Sequence, residues 1–295
     1  MDKEQLQSAK EKCIRENGPW EFHNIRLADD VFTIAPDVPG VSLRLKRFIQ
    51  TAADLLPMPF AEMRVLDLAS CEGLYAIEFA RQGAEVLGIE AREAHLKKAR
   101  FVKEALQLDR LHFEQNDVRA LNTETHGQFD LILCPGIFYH LDTPDLFRFT
   151  ESIAAACKGI AIFDTHVALQ PVEKREYKDH EYWGKRFKEH EEAASEDERM
   201  ESVLASIDNT ESFWLTRASL YNLLLDVGFT SVLESHIPTT YDNPDRITLV
   251  ARKGEARNIE SIPPECNQEK QHWPETPIPK PQAVTLRDRI KNIMR

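Results

Sequence analysis

Two histidines and an aspartate carry the chemistry this chain is best equipped to do. LCPGIFYHLDTP (residues 133–144) places Tyr139 and His140 just past an apolar run, and GIAIFDTHV (159–167) places Asp164 and His166 at the end of another. Alternate residues of an extended strand share a face, so Asp164 and His166 point the same way. An imidazole with an ordinary pKa of about 6.5 accepts a proton at neutral pH. The group therefore suits removal of a proton from a hydroxyl as a new bond forms at its oxygen. His140 is the first candidate for that base, His166 the second, and Asp164 the carboxylate that would orient an imidazole. The same three side chains are also of the type that holds zinc, iron or manganese, but their spacing is not diagnostic and no metal is assigned.

A second constellation lies upstream, in RVLDLASCEGLYAIEFARQGAEVLGIE (64–90). The run reads as strand, tight turn, helix, strand, with Asp67 and Glu90 at the two strand ends. Ala69, Ser70, Cys71 and Gly73 keep the turn small enough for a ligand to approach the backbone. Helix N-termini favour anions, yet Asp67 and Glu72 crowd this one with negative charge. That combination suits a cofactor with cationic groups, such as the sulfonium and ammonium of S-adenosylmethionine. Glu90, with Ala91 behind it, follows Asp67 at the spacing at which an acidic side chain accepts from ribose hydroxyls.

The elements that must position these residues are legible as alternating patterns. From Arg64 to about Val167, apolar runs of strand length alternate with helical periods, which specifies a parallel sheet with right-handed crossovers. Ligands then bind beyond the carboxyl ends of the strands. There the third strand ends at Asn116, Asp117 and Val118, and the fourth at Cys134 and Gly136. Thr143 is expected to cap a helix with Pro144 in its first turn and Gly159 past its end. Thr216 caps a later helix stopped by Gly228. Two further strands, joined by Asp242, Asn243 and Pro244, complete a doubly wound, mostly parallel seven-stranded α/β sheet of Rossmann-like type with a final antiparallel strand.

Residues 1–60 read as an N-terminal lid and packing helix. A polar helix comes first, then a hairpin in GPWEFHNIRLADDVFTIAP, then a helix from Ser42 burying Leu45, Phe48, Ile49, Ala52 and Leu55. Residues 61–253 form the catalytic unit. Within it the charged stretch 171–205 is expected to be a helical insertion, from which Tyr177, Tyr182, Trp183 and Phe187 would reach the substrate or merely anchor the insertion. Residues 254–295 are expected to form a proline-rich tail that ends in TLRDRIKNIMR, read as a short docking helix.

Composition narrows the partners. A net charge of −12 disfavours nucleic acid, whose binding depends on lysine and arginine. No apolar stretch approaches the roughly 20 residues that cross a bilayer, and the charged N-terminus has no signal core, so a cytoplasmic, membrane-free protein is expected. Five scattered cysteines without CxxC spacing argue against disulfides or a zinc knuckle. No oligomeric state is assigned.

The turn and its flanking carboxylates resemble the first motif of the class I S-adenosylmethionine-dependent methyltransferases, an acidic residue followed by Gly-x-Gly-x-Gly. Two glycines are replaced, by Ala69 and Cys71. Such replacement is harmless at negative φ and costly if the backbone must be left-handed. WEFHNIRLADDVFT, SLRLKRF and GIFYHLDTPDLF are most similar to the tRNA wobble-uridine carboxymethyltransferase group and its small-molecule relatives. DNTESFWLTRASLYNLLLDVGF resembles methyltransferases of sugars and other metabolites. The resemblance implies that Asp117 contacts adenine, that Cys134 to Gly136 pass near the sulfonium, and that Asn209, Ser212, Phe213 and Trp214 face the substrate with Tyr139, Tyr182 and Trp183. Methyl transfer to a hydroxyl of a small or glycan-like metabolite is the leading expectation. The alternatives are an RNA-modifying transferase and a non-catalytic adenosine-binding scaffold.

Overall fold

The computed structural model describes residues 2–38, 42–236, 243–257 and 272–275. Helix α1 (Lys3–Asn17) is closed at its start by a reciprocal cap between Asp2 and Gln5. β1 (Arg26–Ala28) and β2 (Val31–Phe32) make the expected hairpin. α2 (Ser42–Leu55) buries Phe48 and Ala52 and packs Leu45, Ile49 and Leu55 on the same core. α2 starts at Ser42 as the sequence reading has it, and the Ser42 side chain, read from the sequence as the helix cap, lies outside the described residues.

The alternating region follows as β3 (Arg64–Leu68), α3 (Leu74–Arg81), β4 (Glu85–Glu90), α4 (Glu93–Ala105), β5 (Leu111–Gln115), the short α5 (Thr123–His126), β6 (Phe129–Pro135), α6 (Asp145–Ala156) and β7 (Cys157–His166). Then come β8 (Glu173–Tyr177), β9 (His180–Lys188), α7 (Glu196–Glu201), β10 (Glu211–Leu215), α8 (Arg217–Asp226), β11 (Ser231–Glu234) and β12 (Arg246–Arg252). Seven strands form one sheet in the order β11-β12-β7-β6-β3-β4-β5. The five from β7 to β5 are parallel, β12 runs antiparallel to β7, and β11 is antiparallel to β12. This is the Rossmann-like architecture expected from the alternation.

Side-chain alternation divides the strands between two cores, one on each face. Leu66, Leu68, Ile132, Cys134, Ala161 and Phe163 face the core with α6 and α8. Val65, Leu131, Leu133, Ile160 and Ile162 face the one with α1, α2 and α3. Strands covered on both faces read as near-continuous apolar runs, as these do. Cutting a ring from either core, as in Phe163→Ala, costs about 3–5 kcal/mol.

Three expectations are corrected. Residues 171–205 are not a helical insertion: β8, β9 and β10 form a separate three-stranded antiparallel sheet, and only α7 is helical. The dense charge masked a period of two, in which Tyr182 and Gly184 are buried between more exposed neighbours. Gly184 allows β9 to lie on β10, since a Cβ there would sit 2.3 Å from the Trp214 carbonyl oxygen. Thr143 does not cap α6; Pro144 occupies the cap position, without a side-chain bond. Gly159 does not end that helix but lies within β7, where a Cβ would be 2.4 Å from the Asp130 carbonyl oxygen. By contrast, Thr216 does cap α8, accepting from the Ser219 amide. Asp242, most of the proline-rich tail and TLRDRIKNIMR lie outside the described residues. No helix among the described residues is long and apolar enough to cross a membrane.

Candidate active site

A cleft of about 290 Å³ opens at the carboxyl ends of the parallel strands. Its floor is the turn after β3, and there Ala69 and Cys71 have φ of 53° and 52°. Both replaced glycine positions are thus left-handed, which costs a residue with a Cβ about 1–2 kcal/mol. Gly73 (φ 88°) is constrained twice over, because a Cβ there would lie 3.0 Å from both Ala99 Cβ and Phe113 Cζ. The strain is held in place by the Glu90 carboxylate, which accepts from the amides of Cys71 and Arg92, each at 2.8 Å. Burial, only partly offset by those amides, pushes the Glu90 pKa up.

The two other acidic residues of the motif behave differently. Asp67 is fully buried and does not line the cleft. One of its oxygens accepts from the Ala76 amide at 3.0 Å, pinning the first turn of α3, and the other has no partner among the described residues. Burial, with Glu90 nearby, pushes its pKa up to about 7. Glu72 adds no free negative charge to the turn, contrary to expectation. Its carboxylate accepts from the amides of Glu21, Phe22 and His23 at 2.9–3.0 Å and pairs with Lys98 at 2.8 Å. Burial opposes its ionisation, but Lys98 and the amides outweigh it and hold the carboxyl below its usual range. The consequence is architectural: Glu72 draws Phe22 and His23 into the cleft wall, where His23 Nδ1 accepts from the Leu74 amide at 3.3 Å. Burial lowers the His23 pKa to about 4, so its ring is neutral.

Ala69, Cys71, Glu90, Ala91, Asp117, Val118 and Gly136 line the cleft; Asp67, Ser70, Gly73, Asn116 and Cys134 do not. Cys134 points into the core beneath. Asp117 is clamped by the Arg119 guanidinium, whose Nε lies 3.0 Å from both carboxylate oxygens. Arg119 also reaches Asp208 at 2.5 Å. Arg92 donates to the carbonyls of Met200, Ser202 and Ala205 at 2.9–3.1 Å. These two arginines hold the loop 203–208 over the cleft, and no sequence pattern marked it.

At the far end, His140 Nδ1 lies 2.9 Å from Oε2 of Glu189, whose side chain is 1% exposed. Glu189 also accepts from the Ser212 hydroxyl at 2.7 Å and the Ser206 amide at 3.0 Å. Burial opposes its charge, but His140, Ser212 and Ser206 together bring its pKa below the usual range. An ionised Glu189 makes Nδ1 the donor and leaves Nε2 as the acceptor on a ring that lines the cleft.

Asp164 does not orient either imidazole. Its carboxylate accepts from Arg246 Nε at 2.7 Å and Thr248 Oγ1 at 2.6 Å, and Arg44 Nε is 3.3 Å away. His166 does not line the cleft. Its ring stacks on Trp214 at 5.0 Å, its Nε2 lies 3.4 Å from Arg246, and Asp245 stands 3.3 Å from Nδ1, out of line for a hydrogen bond. Burial and the Arg246 charge lower its pKa, against the pull of Asp245.

Of the expected substrate residues, only Tyr139 lines the cleft. Tyr182 is buried against Phe147 with its hydroxyl on Asp226, and Phe213 is fully buried. Trp214 has Phe187 on one side and His166 on the other, with ring centroids 4.4 and 5.0 Å away. Trp183 donates its amide to Ser219, and Asn209 donates to the His140 carbonyl at 3.1 Å. Tyr177 stacks on Phe147 at 4.8 Å. None of these side chains lines the cleft. Arg44, Tyr75, Arg246, His23 and Phe22 line the cleft, and none of them was expected there.

Comparison with known proteins bears on the family and the fold. The methyltransferase domain family matches residues 59–212, just over half of the chain. The ubiquinone biosynthesis O-methyltransferase of Acinetobacter baylyi is 32% identical over 114 residues, 39% of this chain and 45% of that one. Its counterpart in Psychrobacter cryohalolentis is 34% identical over 88 residues, 30% and 34% of the two chains. The chain thus spans less than half the length of these curated relatives. The N-terminal domain of EvdMO1 with SAH bound superposes with a TM-score of 0.64 at 23% identity, covering 86% of this chain and 98% of that one. The same domain in the presence of SAH and D-fucose gives 0.62 at 24%, with the same coverage. At such identity the likeness is one of fold. With the family match over the strand-end cleft, this chain belongs to the class I S-adenosylmethionine-dependent methyltransferases.

Proposed function

We propose that the protein transfers a methyl group from S-adenosylmethionine to a hydroxyl of a small or glycan-like molecule, with His140 as the general base. The observation that carries this is the His140–Glu189 pair, a cleft-lining imidazole backed by a buried, ionised carboxylate.

The chain's own residues fit the cofactor. Glu90 and Asp117, at the ends of neighbouring strands β4 and β5, would hold the ribose hydroxyls and the adenine amino group. The amino-acid end would meet Arg44 and Tyr75, whose Nε and hydroxyl are buried without a hydrogen-bond partner among the described residues. Bound there, S-adenosylmethionine supplies a methyl group on a positively charged sulfur that is already a good leaving group. The protein then has to align the acceptor and remove one proton. His140 Nε2 would take the hydroxyl proton as the oxygen bonds to carbon, and Glu189 would stabilise the resulting imidazolium through Nδ1–H. Phe22, His23 and the loop 203–208 would exclude water.

The acceptor class draws on the relatives. One group is named for O-methylation in ubiquinone biosynthesis, and one fold neighbour was crystallised in the presence of D-fucose. An RNA acceptor of the wobble-uridine type is the weaker reading, since the net charge of −12 opposes a polyanion. Incubation with methyl-labelled S-adenosylmethionine and panels of phenols, deoxysugar glycosides and bulk tRNA tests the proposal. Label in a hydroxylated small molecule supports it, and label in tRNA alone overturns it.

A further inference from the structure

Away from the cleft, three segments distant in sequence meet at one point. His180 opens β9, Asp226 ends α8, and His272 lies in the described C-terminal segment 272–275. One donor atom from each, two ring nitrogens and a carboxylate oxygen, lies within 4.8 Å of the others. His272 Nε2 is 2.8 Å from Asp226 Oδ1, and the rings of His180 and His272 are 4.9 Å apart between centroids. We infer that these residues bind a zinc ion that clasps the C-terminal segment to the catalytic unit.

Two imidazoles and one carboxylate are a donor set that zinc takes readily, usually with water in the fourth position. Bonds of about 2.0–2.1 Å in a tetrahedron bring the donor atoms to about 3.3 Å from one another. Rotation of the two imidazoles, which lie at the surface, closes the remaining gap. The carboxylate is already oriented. Tyr182, its ring buried in the core, donates its hydroxyl to Asp226 Oδ2 at 2.7 Å, which leaves Oδ1 toward the histidines. Hydrogen-bonded carboxylates of this kind support metal ligands in known sites.

Contacts within residues 272–275 deliver His272 to this place. Trp273 stacks on Tyr221 at 4.8 Å and exchanges two hydrogen bonds with Asn222, its amide donating at 2.8 Å and its carbonyl accepting at 3.0 Å. Glu275 accepts from the hydroxyls of Thr216 and Ser219 at 2.8 and 2.7 Å. All of these partners are on α8 or its cap, so the segment is seated on one helix. The metal would add a bond to the β8–β9 hairpin, tying three segments together.

The test uses the full chain, stripped with chelator and titrated with zinc chloride by calorimetry in the presence of a competing chelator. The expected result is one equivalent of zinc per chain, weakened at least about 100-fold by His272→Ala or His180→Ala and about tenfold by Tyr182→Phe. Backbone amide exchange at Trp273 should slow when zinc is added to the parent chain and stay unchanged in His272→Gln. A His140→Ala, His166→Ala double variant should keep the zinc. Absence of zinc binding, or loss of zinc only in that double variant, would overturn the clasp and leave His272 and Asp226 a simple hydrogen-bonded pair.

Discussion

His140 Nδ1 stands 2.9 Å from Oε2 of Glu189, a residue 49 positions later in the chain that reaches the site from just past β9. The carboxylate is almost wholly enclosed and held by three donors, so the imidazole can turn only one nitrogen to the cleft. His140→Ala should lower kcat by about 10²–10⁴-fold, the usual worth of a positioned base. Glu189→Gln keeps the shape but removes the charge that stabilises the imidazolium, and should also lower kcat, with less effect on KM. Cofactor affinity, read by calorimetry, should be unchanged in both variants.

Glu90 should behave in the opposite way. Glu90→Ala is expected to weaken binding of S-adenosylhomocysteine by about 10–100-fold, the loss of one or two hydrogen bonds to a charged group. It should also lower the melting temperature, because the amides of Cys71 and Arg92 lose their acceptor. Asp67→Asn should weaken the cofactor far less, since Asp67 lies behind the turn. Titration of the two variants side by side checks the assignment.

The turn itself offers a test of strain. Relief of a left-handed backbone at Ala69 or Cys71 is worth about 1–2 kcal/mol, whereas a new glycine costs about 0.4–1 kcal/mol through the unfolded chain. Ala69→Gly should therefore stabilise the protein by up to about 1.6 kcal/mol, with a rise in melting temperature of about 2–4 °C for each kcal/mol gained. Cofactor binding should be retained or tightened. A lower melting temperature would mean that the methyl group packs well enough to outweigh its conformation.

Glu72 and Lys98 give a pH signature. The Glu72 pKa is lowered on folding, so its contribution is fully present above its ordinary value of 4.5 and disappears as pH falls through the lower folded value. Thermal melts should steepen in their pH dependence below about pH 4.5, and Glu72→Gln should flatten that part of the curve. At neutral pH the same substitution should cost about 3–5 kcal/mol, because it leaves Lys98 buried without a counter-charge.

The sheet was legible in the sequence because strand and helix periods differ and each parallel strand is covered on both faces. The same periodicity put Glu90 and Asp117 at strand ends facing the cleft, and set His140 on the loop beyond β6. What escaped was whatever depends on contacts between distant segments. Asp164 was correctly placed at the end of β7, but Arg246 arrives from the antiparallel neighbour β12 and Arg44 from α2, and together they occupy it. Glu189 lay in a stretch whose charges suggested a helical insertion, which hid its pairing with His140. Trp214 and Phe213 have the composition of a binding surface, yet stacking and burial keep them out of the cleft lining. Glu72 illustrates the limit most simply: its position in the motif was clear, but its partners lie some fifty residues before it and on the next helix.

The most direct measurement is calorimetric titration with S-adenosylhomocysteine of the parent chain, Glu90→Ala and His140→Ala. One site per chain, lost or much weakened in Glu90→Ala and intact in His140→Ala, is the predicted result. No binding to the parent chain, or equal loss in both variants, would contradict the account of a cofactor cleft served by a separate proton acceptor.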